Sequence, residues 1–313
     1  MIASGSNARW LFAFLAFARF SAPAQNAAVC QHRTVVNVSD RQGMPVPGLQ
    51  PASFQGSFRG QPVRIISARV QSELPRFVLL LDVSGSVNRE NHSFELAQFA
   101  AGNFVAASGI PHVALVLFSD GVRDKLEFDA APKDVLLKLA DLNDGQGRTT
   151  LFDSLVYSAG LFDAPKAGDA VYLITDGVDN HSRMRSEEVE HEFLSRGIRL
   201  FCFILWPARH GEDEAERSIY VLQHLTEVTG GLITNTRHDD SSNGREWLKA
   251  SLLRAYTEMK SFYDLEVEVP GNLDKQHRWE LQVVDDRGKK RKDIEVTYAR
   301  NLTPCAMASP QKK

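Results

Sequence analysis

Four short runs of apolar residues constrain the fold of this chain more than any other feature. They cover residues 77–81, 113–118, 170–175 and 200–205. Strands of this composition are covered on both faces, as in the parallel sheets of α/β proteins. Stretches with helical spacing of apolar residues lie between them. The alternation predicts an α/β fold with a doubly wound, mostly parallel sheet, and Asp120-Gly121 predicts a hairpin to one antiparallel edge strand.

Both ends of the chain have the character of strands only, with no helical periodicity. The N-terminal candidates cover 32–39 and 62–70, and the C-terminal ones cover 262–269, 279–284 and 294–298. We expect these strands to come together as a small β-sandwich beside the α/β unit. The predicted organisation is an N-terminal β segment at 25–75, an α/β domain at 76–261, a C-terminal β segment at 262–300 that packs with 25–75, and a tail at 301–313. The polar stretch 207–217 predicts a loop.

The first 24 residues have the pattern of a secretory signal peptide. An apolar run at 10–18 lies between Arg9 and Arg19, and Ala22-Pro23-Ala24 follows with small residues where a signal peptidase cuts. The run is about half of the ~20 residues that a membrane-spanning helix needs. The alternative is an amphipathic or buried N-terminal helix. With cleavage after Ala24 and no other long apolar stretch, the sequence predicts a secreted or periplasmic protein without a membrane span.

Charge and motif content exclude several classes of function. The 313 residues include 36 Lys+Arg and 39 Asp+Glu, for a formal net charge of -3, whereas a dedicated nucleic-acid binder has a strong basic excess. The sequence contains no phosphate-binding loop of the Walker type, no Gly-x-Ser-x-Gly elbow and no His-Glu-x-x-His motif. No nucleophile has an evident general base beside it, so we expect no catalytic residues and no enzyme activity.

The three cysteines are too few for a disulfide-built scaffold and lack zinc-type spacing. Cys30 lies just after the predicted cleavage site and Cys305 lies near the C-terminus. In an oxidising compartment a Cys30–Cys305 disulfide would be stable and would join the two chain ends, which makes it a hypothesis. Cys202 lies in a predicted buried strand, where we expect it to serve as a small core residue.

Small oxygen-bearing side chains follow two of the apolar runs. Asp82, Ser84 and Ser86 alternate directly after the first run, and side chains at a spacing of two can project in the same direction. Thr149 ends a glycine-rich loop, and Asp176 follows the run 170–175. Open α/β sheets bind ligands outside the carboxyl ends of their strands. Two carboxylates beside several hydroxyls suit a hard divalent cation there.

This constellation resembles the metal-ion-dependent adhesion site of von Willebrand factor A domains. Asp82-x-Ser84-x-Ser86, then Thr149 and then Asp176 match that site in order and position. The resemblance implies that Ser84, Ser86 and Thr149 bind Mg²⁺ (or Mn²⁺) through hydroxyl oxygens. It implies that Asp82 and Asp176 bind the ion directly or through water. A partner protein's Asp or Glu then fills the open coordination position.

Segments outside this domain resemble a bacterial secreted subgroup, the VWFA-related domain proteins. They are Asp40-x-x-Gly43-x-Pro45-Val46-x-Gly48-Leu49, Thr229-Gly230-Gly231 and Tyr263-Asp264-Leu265. The resemblance then covers most of the chain after residue 24, less specifically than the metal-site residues do. It implies a protein that acts outside the bacterial cytoplasm.

One position departs from the family pattern. The family loop commonly reads Gly-Gly-Thr, and here it reads Gly147-Arg148-Thr149. Arg148 at the rim of the site narrows it or pairs with an acidic ligand. We prefer Thr149 to Thr150 as the metal ligand because the spacing to Asp153 matches the subgroup, and we expect Asp153 to cap or support the loop.

Three functions remain open from the sequence. The leading one is a binding module that engages an acidic residue of a protein partner through the metal. A structural envelope component with a fold-stabilising metal is the second, and a metal-dependent hydrolase using Asp82 and Asp176 is the third. Each piece of the constellation is also compatible with ordinary helix caps and turns. The sequence does not indicate the oligomeric state.

Overall fold

The computed structural model describes residues 29–71, 74–88, 92–108, 112–143, 145–206, 212–236, 244–270 and 275–305. The predicted signal peptide at 1–24 and most of the predicted C-terminal tail lie outside the described residues. The strands are β1 (Val29–Asp40), β2 (Phe54–Phe58), β3 (Gln61–Val70), β4 (Phe77–Asp82), β5 (Val113–Phe118), β6 (Val122–Leu126), β7 (Ala170–Thr175), β8 (Arg199–Ile204), β9 (Ile233–Asn235), β10 (Tyr263–Pro270), β11 (His277–Arg278), β12 (Glu280–Val283), β13 (Ile294–Tyr298) and β14 (Asn301–Leu302). The helices are α1 (Ser93–Ser108), α2 (Pro132–Ala140), α3 (Leu151–Gly160), α4 (Ser186–Arg196), α5 (Glu212–Thr229) and α6 (Gly244–Lys260).

The predicted α/β fold class is confirmed. A six-stranded sheet has the order β6-β5-β4-β7-β8-β9, in which all neighbours are parallel except the edge pair β5–β6. Every residue of β4, β5, β7 and β8 is buried, because helices cover both faces of the sheet. Apolar residues of α1, α2 and α6 pack on one face, and those of α3, α4 and α5 pack on the other.

The N- and C-terminal strands come together beside the α/β unit, as predicted, and in place of the expected small β-sandwich they form one antiparallel sheet. Its order is β12-β2-β3-β10-β1-β13, so strands from the two ends of the chain are interleaved, and only the neighbours β2 and β3 come from the same end. The outermost strands β12 and β13 also contact each other, and the rings of Trp279 and Tyr298 stack edge to face with centroids 5.3 Å apart. The sheet therefore curls around its own apolar cluster.

A disulfide between Cys30 and Cys305 joins the first strand to the end of the described chain, with the two Cα atoms 6.0 Å apart. Cys202 is a free thiol buried in β8, in agreement with its expected role in the core. Burial raises the pKa of this thiol, so it stays protonated.

One local prediction is wrong. The polar stretch 207–217 was expected to be a loop, but α5 begins at Glu212 and continues to Thr229. Its apolar residues that enter the core, Leu222 and Leu225, lie in the second half of the helix, so its first turns have no apolar signature. Strand β2 was not predicted at all. The proposed domain boundaries at 25, 76 and 262 stay a prediction.

A buried arginine joins the two units at the amino end of the parallel sheet. Arg199 opens β8 and is only 2% exposed. Its guanidinium donates to Asn37 Oδ1 of β1 at 3.1 Å and to the carbonyls of Gly168 and Met259 at 3.0 and 2.7 Å. Asn37 Nδ2 in turn donates to the Ser261 carbonyl at 2.8 Å. The antiparallel sheet, α6 and β8 are thus held together by one connected set of polar contacts.

Candidate metal-binding site

Three loops meet at the carboxyl end of the parallel sheet, and backbone hydrogen bonds hold them together. The loop after β4 meets the glycine-rich loop through Gly85 N–H to Gly147 O and Gln146 N–H to Val83 O, both at 3.0 Å. A side chain at Gly145 would collide with the carbonyl oxygens of Ser84 and Val87. The glycine is therefore required for this close approach.

The loop after β7 reaches the same place. Thr149 O accepts the backbone N–H groups of Asn180 and His181 at 3.2 and 3.0 Å. Asn180 Oδ1 accepts the N–H of Thr149 at 2.9 Å. The loops that hold Asp82, Thr149 and Asp176 are thus one continuous hydrogen-bonded surface.

Asp82 ends β4 and lies almost fully buried at the centre of this surface. Its Oδ1 accepts the Ser84 N–H at 2.9 Å, and its Oδ2 accepts the Thr175 hydroxyl at 2.6 Å. Ser84 Oγ lies 3.2 Å from Ser86 Oγ. Asp82, Ser84 and Ser86 therefore form one cluster in which every donor to Asp82 that the structure describes is neutral.

Asp176 is the second buried carboxyl at this position, 1% exposed. Its Oδ1 accepts the Val178 N–H at 3.2 Å. Burial first, and then repulsion from the Asp176 carboxylate, raise the pKa of Asp82 to about 7, against the opposing hydrogen bonds of Ser84 and Thr175. Two like charges are thus brought together in a region from which water is largely excluded.

The two adjacent threonines have different partners. Thr150 Oγ1 donates to the Ser119 carbonyl at 2.8 Å, beneath the start of α3. Thr149 is equally buried, at 1% exposed, and its backbone is fixed by the loop after β7. The Thr150 hydroxyl is therefore occupied within the fold.

Arg148 lies at the exposed rim beside Asp120, the residue that follows β5 by two positions. Asp120 Oδ1 accepts the Arg148 backbone N–H at 2.7 Å, and Arg148 Nε lies 3.4 Å from the same atom. These contacts lower the pKa of Asp120, the backbone hydrogen bond first. Gly147 has a φ of 87°, and a side chain there would collide with Asp120. The rim charge of Arg148 is thus paired within the chain.

Asp153 contacts backbone rather than the cluster. Its Oδ1 accepts the N–H groups of Arg183 and Met184 at 3.0 and 2.8 Å. The carboxylate therefore holds the far end of the loop after β7 against α3. This is the loop after β7 and not the glycine-rich loop that Asp153 was predicted to support.

Sequence reasoning missed four polar residues that build this surface. Thr175 fixes Asp82, Asn180 fixes Thr149, and the pair Asp179 and Ser182 binds the free N–H groups at the start of α3. Asp179 Oδ1 accepts from Leu151 N at 2.8 Å and from Ser182 Oγ at 2.6 Å. The polar residues 179–182, which begin three positions after Asp176, are the sequence feature that could have indicated these contacts.

The donor set fits a hard divalent cation. Carboxylate and hydroxyl oxygens are the ligands of Mg²⁺ and Mn²⁺. A cation would offset the repulsion that raises the pKa of Asp82. Among the described residues no helix is long and apolar enough to cross a membrane.

Comparisons with known proteins identify the α/β unit. Residues 77–178 match the sequence model of the von Willebrand factor type A domain. No curated protein matches the chain. A solved von Willebrand factor type A protein from Catenulispora acidiphila is 14% identical, covers 89% of this chain and 75% of its own, and gives a TM-score of 0.48.

Two Bacteroides structures are also similar. An aerotolerance-related membrane protein from Bacteroides fragilis is 14% identical over 59% of this chain and 98% of its own, with a TM-score of 0.45. BatB from Bacteroides thetaiotaomicron is 14% identical over 58% and 98%, with a TM-score of 0.43. The resemblance predicted from Asp82, Thr149 and Asp176 is confirmed at the level of the family, and the chain carries a von Willebrand factor type A domain at residues 77–178.

Proposed function

We propose that this chain is a binding module that holds Mg²⁺ (or Mn²⁺) and uses it to engage an acidic residue of a protein partner. The ligands would be Asp82, Ser84, Ser86, Thr149 and Asp176. The observation that supports the proposal is the buried Asp82–Asp176 pair beside the hydroxyls of Ser84 and Ser86, with Thr149 on the adjoining loop. A divalent cation would neutralise the two carboxylates. Von Willebrand factor type A domains are generally binding modules rather than enzymes, and the proposal follows that usage.

The surrounding residues would keep the ligands oriented. Ser84 N–H and the Thr175 hydroxyl fix both oxygens of Asp82. Asn180 fixes the backbone of Thr149, and we prefer Thr149 to Thr150 as the ligand because the Thr150 hydroxyl donates to the Ser119 carbonyl beneath the start of α3. The bound ion would supply two positive charges to this preformed arrangement.

The exposure of the ligands indicates the side from which a partner would approach. Asp82 and Ser84 are buried, whereas Ser86 is half-buried and Gly85 is exposed. An ion held by these groups would be covered by the sheet below and open beside Ser86. Five protein groups leave a position free in the six-oxygen shell that Mg²⁺ prefers. A carboxylate of the partner would fill that position.

Calorimetric titration of Mg²⁺ into the purified protein and into Asp82→Asn tests the metal. Asp120→Asn is the matched control, since it removes the same charge from the same face and keeps an oxygen that accepts the Arg148 N–H. We expect heat of binding from the wild type and the control and none from Asp82→Asn. Equal heats from all three proteins would refute the proposed ligands.

The partner is tested by recovery from the envelope fraction of the native organism. The immobilised wild type should retain an acidic protein in Mg²⁺ and release it in EDTA, and Asp82→Asn should retain none. Retention that is unchanged by EDTA would reject binding through the metal.

We propose that the protein acts outside the cytoplasm, after cleavage behind Ala24. N-terminal sequencing of the protein recovered from the periplasm or medium should begin at Gln25. An intact N-terminus on a cytoplasmic product would reject export.

A further inference from the structure

A second group of metal-ligating atoms lies far from the proposed Mg²⁺ site, where the chain ends meet. The donor atoms of Cys30, His32 and Cys305 all lie within 4.8 Å of one another. His32 Nε2 is 2.9 Å from Cys30 Sγ and 3.6 Å from Cys305 Sγ. Within the described part of the chain, no other group of three His, Cys, Asp or Glu residues is gathered so closely.

The arrangement follows from the strand and from the C-terminal pairing. Cys30 and His32 are two residues apart in β1, so their side chains lie on the same face. Cys305 is brought to them because β14 pairs with β11, with Leu302 opposite His277, three residues before Cys305. Cys30 is buried at 4% exposed, whereas His32 and Cys305 are half-buried. The group formed by Cys30, His32 and Cys305 is thus open to solvent on the side of Cys305.

A disulfide alone does not require an imidazole against both sulfurs. Two thiolates and one imidazole, by contrast, are a donor set that Zn²⁺ binds with tetrahedral geometry. With Zn–S near 2.3 Å and Zn–N near 2.0 Å, such a site holds its donor atoms about 3.5–3.8 Å apart. The 3.6 Å from His32 Nε2 to Cys305 Sγ matches this spacing, and the 2.9 Å to Cys30 Sγ is shorter. The two sulfurs are bonded to each other in the disulfide and would have to separate to bind the ion.

There is also room for a fourth ligand. His32 lines a cleft of about 240 Å³ between the two units, whose walls include Leu194, Gly197, Leu302 and Thr303. The cleft reaches His32 and not the two cysteines, so a water molecule or a small anion would approach the fourth coordination position from the His32 side, as in zinc sites with three protein ligands.

We infer that reduction of the Cys30–Cys305 disulfide converts these three residues into a binding site for a thiolate-preferring divalent cation, Zn²⁺ first. A thiol reductant supplies two electrons: the S–S bond breaks, two cysteine thiols form, and the reductant becomes its own disulfide. Binding of Zn²⁺ then displaces the two thiol protons, and two Zn–S bonds and one Zn–N bond form. The disulfide and the metal are mutually exclusive because each uses both sulfurs.

This inference does not depend on the proposed Mg²⁺ site. Both sites can therefore be tested in one protein, since Asp82→Asn removes a ligand of one and leaves the other intact. Cys202→Ala serves as the background in every sample, because it removes the remaining thiol from its buried place in β8.

Co²⁺ is the probe, because thiolate ligands give it a near-ultraviolet charge-transfer band that oxygen ligands do not. The purified chain is titrated with Co²⁺ in its disulfide form and after reduction by a phosphine, and Zn²⁺ is then added as competitor. His32→Ala is the matched variant, since it removes one ligand and leaves both cysteines. Thiol counting before reduction checks that its disulfide has formed.

We expect the band only in the reduced protein, its loss on addition of Zn²⁺, and its retention in Asp82→Asn. His32→Ala should bind Co²⁺ at least about 10-fold more weakly, the lower end of what even an outer partner of a metal ligand contributes. If reduction loosens the chain ends, Zn²⁺ should restore the circular dichroism of the wild type and not that of His32→Ala. A reduced wild type without the band, or His32→Ala with equal affinity, would overturn the inference.

Discussion

The two ends of the parallel sheet bury charged groups in opposite ways. At the amino end, Arg199 is surrounded by carbonyl oxygens and lies between the rings of Phe201 and Phe262, 5.1 and 4.8 Å from its Cζ. Asp169, which is fully buried there, accepts Arg76 Nη2 at 2.5 Å and the Lys166 N–H at 2.9 Å. Arg199 and Asp169 thus have partners of opposite polarity within the chain, although burial still lowers the pKa of Arg199 to about 9.

At the carboxyl end, the compensation for Asp82 is incomplete. Both of its oxygens accept hydrogen bonds, yet the donors are neutral and the nearest charge that acts on it is another carboxylate, Asp176. Of the described residues, no cation is among the groups that shift the pKa of Asp82. This difference is the reason for proposing a divalent cation at the carboxyl end and a stabilising role for the amino end.

The largest effect should come from the amino end. Arg199→Leu leaves Asn37 and the carbonyls of Gly168 and Met259 buried without their donor. We expect a loss of about 3–5 kcal/mol in the free energy of unfolding, the range for breaking a buried charged network, measured by urea denaturation in EDTA. A loss below about 1 kcal/mol would mean that the junction does not carry the stability assigned to it.

A pH series in EDTA tests the carboxyl end. The pKa of Asp82 in the folded protein is raised from 3.8 to about 7. The native state therefore binds more protons than the unfolded state between these values, so the free energy of unfolding falls as pH rises through this window. We expect Asp82→Asn to remove a decline on the order of 2 kcal/mol between about pH 5 and pH 8.

Burial also raises the pKa of Glu258, so the free energy of unfolding of the wild type has a second decline with rising pH. Comparing the wild type with Asp82→Asn separates the contribution of Asp82 from that of Glu258. That second decline should persist in Asp82→Asn. Parallel curves for the two proteins would show that Asp82 is ionised without cost.

Gly145→Ala tests the geometry of the carboxyl end, since a methyl group there collides with the carbonyls of Ser84 and Val87. The loop after β4 has to move away from the glycine-rich loop, and the ligands separate. We expect Mg²⁺ affinity to fall at least about 10-fold, or 1.4 kcal/mol, by calorimetry. Gly121→Ala, where a side chain meets nothing within 4 Å, is the control, and an equal loss in both variants would contradict the account.

The smallest effect on stability should come from the rim. Arg148 and Asp120 are 63% and 42% exposed, and exposed pairs contribute little to folding because water and salt screen them. Arg148→Ala should change the free energy of unfolding by no more than about 0.5 kcal/mol in urea titrations. A larger loss would mean that this ion pair, and not only the Arg148 backbone N–H, holds the loop.

The two ends were also unequally predictable from the sequence. The carboxyl end could be predicted, because fully buried strands appear in the sequence as continuous apolar runs and small polar residues follow them directly. The amino end was not, because nothing in the sequence around Arg199 indicates that its partners are Asn37 and the distant carbonyls of Gly168 and Met259. Thr175, Asn180 and Asp120 were missed for the same reason, since their roles depend on which loops become neighbours.

Strand β2 shows a different limit. Phe54, Gly56 and Phe58 lie on its buried face, so the period of two is present. The middle position is a glycine because a side chain there would press against Val63 and Trp279. The packing that requires the glycine removes the apolar signal that would have revealed the strand.

The central claim is that Asp82 and Asp176 are brought together to hold a divalent cation. The most direct test is the free energy of unfolding of the wild type and Asp82→Asn, each in EDTA and in Mg²⁺ at about 100 times its Kd for the wild type. The account predicts that Mg²⁺ stabilises the wild type by about 2.7 kcal/mol and leaves Asp82→Asn unchanged, with the variant the more stable of the two in EDTA. Equal stabilisation of both proteins, or of neither, would contradict it.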